Sequence, residues 1–450
     1  MNQSTLPIAI AKEKPQTRVI QSYWYEGIRV KKPIRNQAEM LVRDLNSLLA
    51  EDHAVRAIWD FLNKLDLSAF YSSIKVVLDQ PGRPASDPQV LLALWVYATV
   101  EGIGSARRLA RLSEEHDVYR WLRGGVPIDY HLLAEFRVTH QKEIDDLITQ
   151  IIAALLKAEV IELKRVSQDG IRVRASAGVS SFHREKTLKK CFKEAREQVQ
   201  RVAEEREHPD KEISQREQAA RERAARERQE RIEEALRQLP QVQAIKERQK
   251  KHAGKTKAAK VKEARVSTTD PSARNMKMAD GGFRPAYNVQ FATDTQTQVI
   301  VGVDVTKRGT DQGEAHGMEE QVERRTGKQP QDYLVDGGFV DLQDIKRLEQ
   351  KGIRVYAPPK DNGGKEVSNQ KGPAGSPEVA AWRARMKIER SQTVYKERAA
   401  TSECVNALMR ARYGLEQFTV RGDFKILGVA LLMALAHNLL RWIKLTKLAA

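Results

Sequence analysis

The chain has 450 residues, 41% hydrophobic and 30% charged, with a formal net charge of +17 and a pI near 9.7. That length exceeds one typical domain, and the basic surplus favours a polyanionic partner, because clustered Lys and Arg release counterions from phosphates. Nucleic acid ranks first and an anionic membrane surface second. The two cysteines, Cys191 and Cys404, exclude a disulfide framework and a Cys-based zinc site and point to a reducing compartment. The start, MNQSTLPIAIAKEK, lacks the apolar run of a secretory signal.

Residues 1–160 read as mostly helical. Helix-type apolar spacing runs through AEMLVRDLNSLL (38–49), PQVLLALWVYATV (88–100) and the stretch 131–160. GRPAS (82–86) and GIGS (102–105) are turn chemistry, and Ser105 suits the N-cap of ARRLARLSEE (106–115). A helix, a Gly-containing turn and a short helix carrying Arg107, Arg108 and Arg111 match a helix-turn-helix variant presenting Arg to DNA. The plainer reading is a helical bundle with a solvated basic face.

From about 183 to 265 the composition turns charged. Leu188, Phe192, Ala195, Val199 and Val202 form a narrow apolar stripe on one helix, and a second helix runs on to Pro240. Joined at 208–210, the two make an antiparallel hairpin, trailed by a basic stretch at 246–265. Its charges read as solvated faces, or as an arm that reaches along DNA or pairs with a second protomer.

Beyond 265 the pattern is mixed α/β. YNVQFATD (287–294) and QVIVGVDVT (298–306) read as a β-hairpin. A helix (313–327), a strand (333–336), a helix (342–352) and a strand (353–359) follow. A Gly-, Lys- and Asn-rich loop (360–376), expected to be mobile, leads to a helix opening on Pro377. With a strand at 165–176, this order gives a mixed sheet flanked by helices, with the helical arm looped out after its first strand. The apolar run 426–436 is too short to cross a bilayer, and His437, Asn438 and Arg441 interrupt its continuation, so a buried C-terminal helix is expected.

Three acids stand out on these elements: Asp169 in the first strand, Asp336 at the end of the 333–336 strand, and Glu403 opening a helix at 402–412. Two strand carboxylates and one helix carboxylate meeting at a point suit a pair of Mg²⁺ ions, since hard cations take oxygen ligands and keep positions open for phosphate and water. Asp169 would bridge the ions, with Asp336 and Glu403 each completing one. Such a site points to cutting and joining of nucleic acid. Gly170, Gly337 and Gly338 remove side chains where a nucleic-acid backbone would approach, although Asp-Gly is also common turn chemistry.

Taken together, GRPASDPQVLLALWVYA, SARRLARL, YRWLRGG, FR (136–137), DGIRVRASAG, TTDPSARNMK, YNVQFATD, LVDGGF and the set from Tyr395 through RG (421–422) to AHNLLRW resemble the DDE-type transposases of bacterial insertion sequences. The relevant branch has an all-helical N-terminal domain and an RNase H-like catalytic domain. The resemblance implies a helical DNA-binding domain (1–160), an RNase H-like catalytic domain (161–182 and 265–450) and an inserted helical arm (183–264). It implies DNA strand cleavage and transfer with Mg²⁺ or Mn²⁺, two ions, at Asp169, Asp336 and Glu403. Implied partners are double-stranded DNA, as terminal inverted repeats and target, and a second copy of the chain on that DNA. No membrane is implied, and the place is the bacterial cytoplasm at the nucleoid.

The family's C-terminal signature is a Tyr, an Arg, the catalytic Glu and a basic residue, and Tyr395, Arg398, Glu403 and Arg410 stand there. Arg410, in place of the usual Lys, keeps the charge and changes the geometry. Arg398 and Glu403 are five apart, about 140° on a straight helix, so a break near 400–402 is required if both face the site. Glu397 is the alternative acid. Asp270 and Arg274 match a family stretch and are candidates for DNA contact, while TTDPSA reads just as well as a loop entering a strand. Asp294 reads as closing the hairpin, Asp304 as a strand-edge residue, and His437 with Asn438 as a satisfied polar pair in a packed helix. Two rivals remain: a DNA-binding or architectural protein with a degenerate catalytic fold, and an RNase H-like nuclease without strand transfer.

Overall fold

The computed structural model describes residues 43–76, 84–207, 214–252, 263–359 and 372–449. The chain divides into two units, 1–44 and 45–450, and of the first only Arg43 and Asp44 are described. The linking residues 208–213, the basic stretch 253–262 and the loop 360–371 lie outside the described residues, as do 38–42 of the helix expected at 38–49; its described part, 43–49, does not form that helix. What is described of that helix is a single 3-10 turn, Asn46–Leu48.

Among the described residues seven helices precede the first strand: α1 (Ala54–Leu62), α2 (Ser68–Tyr71), α3 (Pro88–Val100), α4 (Ala106–Glu115), α5 (Asp117–Arg123), α6 (Tyr130–Thr139) and α7 (Gln141–Lys157). Asp87 caps α3 by accepting the Gln89 N–H at 2.8 Å, with Pro88 at the position where its missing N–H costs nothing. From Val90 to Val100 nearly every α3 side chain is buried, so this helix is the centre of the layer. Ser105 caps α4 through the Arg108 N–H at 3.3 Å. The turn between them needs Gly102, at φ +68°, because a Cβ there would sit 3.0 Å from the Arg412 carbonyl. Arg137 of α6 fastens the same turn, donating to the Gly104 carbonyl at 3.0 Å while its guanidinium lies 4.3 Å over the Trp95 ring.

The chain continues through β1 (Arg165–Arg174), β2 (Phe182–His183), α8 (Glu185–Glu207), α9 (Gln215–His252), β3 (Val266–Ser267), β4 (Arg274–Lys277), β5 (Phe283–Asp294) and β6 (Ile300–Thr306). Then come α10 (Ala315–Thr326), β7 (Asp332–Leu334), α11 (Leu342–Gln350), β8 (Arg354–Tyr356), α12 (Pro377–Met386) and α13 (Glu389–Arg398). A π turn, Ala399–Glu403, leads into α14 (Cys404–Ala411), and α15 (Asp423–Ala449) ends the chain.

β5 is the axis of a six-stranded mixed sheet. Antiparallel β1 runs along one edge of it, and β4 and β6 share the other. β7 adds to β1 in parallel and β8 to β7 in parallel, each reached through a helix. Three antiparallel strands followed by two parallel crossovers make an RNase H-like sheet flanked by helices. β5 is buried on both faces from Pro285 onward, as befits its central place.

α8 and α9 lie antiparallel, with Gln218 donating to the Val202 carbonyl at 3.1 Å and Arg228 to Gln198 at 2.6 Å. α9 does not stop at Pro240 but runs through it to His252. Proline removes one intrahelical donor. Leu239 and Val242 on either side are buried with Leu188, Ala235, Ala264 and Val266, and this packing keeps the helix continuous. The β2–β3 ladder closes the base of the arm.

α15 has the length and apolarity to cross a membrane, yet it is mostly buried inside the protein. It packs against α3, α6, α7 and β6. A single hydrophobic core thus runs from the N-terminal helices through α15 into the sheet.

Candidate active site

β1 and β7 fix two of the three acids. Their parallel register pairs Arg165 with Asp332 and Ser167 with Leu334. Two residues beyond that last pair stand Asp169 and Asp336, level with one another at the end of the shorter strand. β7 ends at Leu334, and Val335 still bonds the Tyr356 carbonyl at 3.0 Å, so Asp336 occupies the loop rather than the strand expected for it.

Asp169 is mostly buried. One of its oxygens accepts the Gly170 N–H at 2.9 Å; the other accepts Asn406 Nδ2 at 3.0 Å and faces Arg398 at 3.4 Å. Burial pushes its carboxyl up to about 6, the like charges of Asp336 and Asp311 add to the rise, and Arg398 and the Gly170 N–H oppose it. Asn406 escaped the sequence reading. It stands three residues beyond Glu403, on the same face of the following helix, which was the available signal.

The break required between Arg398 and Glu403 is present as the π turn Ala399–Glu403. The extra residue rotates Glu403 onto the face of Arg398, and the guanidinium meets its carboxylate at 2.7 Å. Arg398 therefore joins Asp169 of β1 to Glu403 of the helix. Tyr395 lies one turn earlier, its ring 6.0 Å from the Arg398 guanidinium. Buried Ser402 and Ser167 share a 2.5 Å hydroxyl contact, which fastens the turn to β1.

Asp336 folds over its own turn, accepting the N–H groups of Gly338 at 2.7 Å and Phe339 at 3.2 Å. A Cβ on Gly338 would lie 2.9 Å from the Asp336 carboxylate, so this glycine makes room for the acid itself. Gly170 likewise clears space for protein. A Cβ there would strike Asp311 Oδ1 and Gln290 Nε2 and lie 2.7 Å from Asn288 Oδ1. Asn288 and Gln290 hold Asp311 at 2.6 and 2.7 Å, and Arg172 faces it at 3.4 Å. This polar cluster behind Asp169 was not anticipated, because its members lie on three separated segments.

The remaining expected residues are dispersed. Arg410 lies exposed at the end of α14. Arg107, Arg108 and Arg111 are exposed on α4, with Arg107 5.0 Å over the Tyr130 ring and Arg111 3.6 Å from Glu115. Arg274 turns inward, donating to the Pro271 and Ala273 carbonyls and to Gln238 of α9 at 2.7, 2.9 and 2.8 Å. Asp270 is fully buried and accepts from Tyr287 at 2.7 Å and the Gly422 N–H at 3.2 Å, a structural tie rather than a surface for DNA. Glu397 pairs with Arg165 at 2.5 Å, and Arg165 also holds buried Asp332 at 3.0 Å, which leaves Glu403 the acid beside Asp169. Asp294 closes its hairpin through Thr297, as expected. His437 and Asn438 are both buried and bonded.

Among the described residues no group of three or more His, Cys, Asp or Glu stands arranged to hold a metal ion. The donor set still suits a hard cation in kind, since Asp169, Asp336 and Glu403 offer only carboxylate oxygens. Among the described residues one guanidinium, that of Arg398, answers the charge of both Asp169 and Glu403.

Two family models match the chain. The Transposase DDE domain covers residues 256–439, and the Transposase domain (DUF772) covers residues 43–139. Asp336 and Glu403 fall inside the first match; Asp169 falls between the two. No curated protein and no solved structure matches. With an RNase H-like sheet, a helical N-terminal region and both transposase domains in one chain, the protein belongs to the DDE-type transposases of insertion elements.

Proposed function

We propose that this transposase binds the ends of its element through the N-terminal helices and basic surfaces, then cleaves and transfers DNA strands at Asp169, Asp336 and Glu403. The observation that carries this reading is Arg398, whose guanidinium ties Asp169 at 3.4 Å to Glu403 at 2.7 Å across 234 residues of chain. Carboxylates so far apart in sequence have no need of a shared cation for local folding.

Asp169 and Glu403, with Asp336 at the end of β7, are the residues that would hold Mg²⁺ or Mn²⁺. The ions, when bound, supply charge for the attacking and leaving oxygens of an in-line displacement at phosphorus. The chain's own part is positional. Asn406 and the Gly170 N–H orient Asp169, the Asp336 turn aims its carboxylate past Gly338, and Tyr395 steadies Arg398. Exposed Arg410, on the helix that follows Glu403, is placed to meet a phosphate of the same DNA strand. Arg107, Arg108 and Arg111 offer α4 to the DNA ends. Two ends brought together call for two copies of the chain, and the α8–α9 arm is a domain-like insertion suited to contact DNA or the second copy.

The test is cleavage of a supercoiled plasmid carrying both element ends, with and without Mg²⁺. Nicking at the element boundary and a joined product support the reading. A salt-sensitive gel shift with no cut product would leave a binder only, and cutting without joining would leave a nuclease.

A further inference from the structure

The Arg398–Glu403 contact is made across the π turn, and a second part of the protein bonds to that turn. In an uninterrupted α-helix the Ala400 carbonyl would accept the Cys404 N–H. Here the Cys404 N–H turns to Thr401, and the Ala400 carbonyl accepts Gln298 Nε2 at 3.1 Å instead. In the π turn the Ala400 carbonyl gives up the Cys404 N–H and the bond from Gln298 takes its place, so this contact offsets more of the cost of the π register than it would add to a straight helix already bonded there.

Gln298 is itself held with unusual care. It sits at the tip of the β5–β6 hairpin with φ +59°, a conformation that costs a non-glycine residue energy and persists only when its surroundings impose it. α15 supplies those surroundings. His437 Nε2 donates to the Gln298 carbonyl at 2.8 Å, and Arg441 donates to Thr297 at 2.7 Å. Asn438 grips both the N–H and the carbonyl of Ile300, at 2.8 and 2.7 Å. On the opposite side of the turn, Ser402 is fastened to Ser167 of β1.

We infer that Gln298 is a positioning residue, one that keeps Glu403 beside Asp169 by stabilising the π turn, and that the AHNLLRW segment of α15 anchors it. The inference rests on the reading of Glu403 as catalytic. Gln298 touches neither acid, so it acts through the turn.

The decisive variant is Gln298→Asn, which keeps the amide and tolerates a left-handed backbone but is one methylene too short to reach Ala400. Hydrogen exchange of residues 399–404 should quicken by about tenfold, matching the loss of one partly exposed hydrogen bond. Plasmid cleavage should fall about ten- to a hundredfold. The Mg²⁺ concentration for half-maximal cleavage should rise, and end-DNA binding by gel shift should stay level. Gln298→Lys, long enough to donate again, should recover slow exchange and part of the cleavage. Unchanged exchange in Gln298→Asn overturns the clamp, as does a variant that cuts at the wild-type rate. A parallel Glu403→Gln protein separates the two ideas. If it still cuts, the catalytic reading has failed, while the exchange result continues to decide whether Gln298 holds the turn.

Discussion

Arg398 and Glu403 meet at 2.7 Å although five residues separate them, because a π turn inserts the extra residue between two helices. The same guanidinium faces Asp169 at 3.4 Å. One cation thus gathers carboxylates from the first strand and from the last quarter of the chain.

Arg398→Ala should leave Asp169 and Glu403 without their shared countercharge. In EDTA the variant should melt below wild type, and added Mg²⁺ should raise its Tm more than it raises that of the parent, because the ion restores the missing positive charge. Cleavage should drop at least about tenfold. Equal Mg²⁺ effects on the two proteins would show that the guanidinium and the ion do not act at one place.

Gly170→Ala should be costly despite its small size. The added methyl strikes Asp311 and Gln290 in a buried polar cluster, and a loss of about 1–3 kcal/mol is expected from overpacking. Urea denaturation checks this. A neutral result would mean that the cluster yields easily and does not buttress Asp169.

His437 gives a pH signature. Burial lowers its ring to about 4 from 6.5, so the fold keeps the neutral form. Its stabilising contribution is complete above the unfolded value, near 6.5, and is lost as pH falls toward about 4. His437→Gln should therefore be less stable than wild type at pH 7.5, with the gap narrowing by about 3 kcal/mol at most by pH 4. Thermal melts of both proteins across that range would show it, and a gap constant with pH would contradict it.

If α4 meets DNA, Arg107→Ala, Arg108→Ala and Arg111→Ala together should weaken binding to element ends. The slope of log K against log salt should shallow by about one for each phosphate no longer neutralised. An unaltered slope would send the search for the DNA surface elsewhere.

The sheet was legible because β5 and β6 are rich in apolar residues and Thr-Gln-Thr separates them. The spacing of Arg398 and Glu403 called for a break if the two were to share a face, and the π turn supplies one. Asn406, Asp311 and Gln298 were not legible. Each acts through a bond that only the folded chain makes, to Asp169, Arg172 and Ala400 across 237, 139 and 102 residues respectively. Pro240 misled for a related reason, since tertiary burial of Leu239 and Val242 outweighs the local penalty. For Asp270 and Arg274 the sequence left DNA contact and a loop role level, because it does not reveal that one would be fully buried and the other half-buried against protein partners.

The most direct measurement is cleavage of end-bearing plasmid by Asp336→Ala in Mg²⁺, beside a gel shift on the same DNA. Asp336 is the acid least tied to Arg398, so it tests whether β7 contributes to the chemistry at all. No cut product with wild-type binding is the predicted result. Donor DNA cut at the normal boundary by this variant would contradict a site built on Asp169, Asp336 and Glu403.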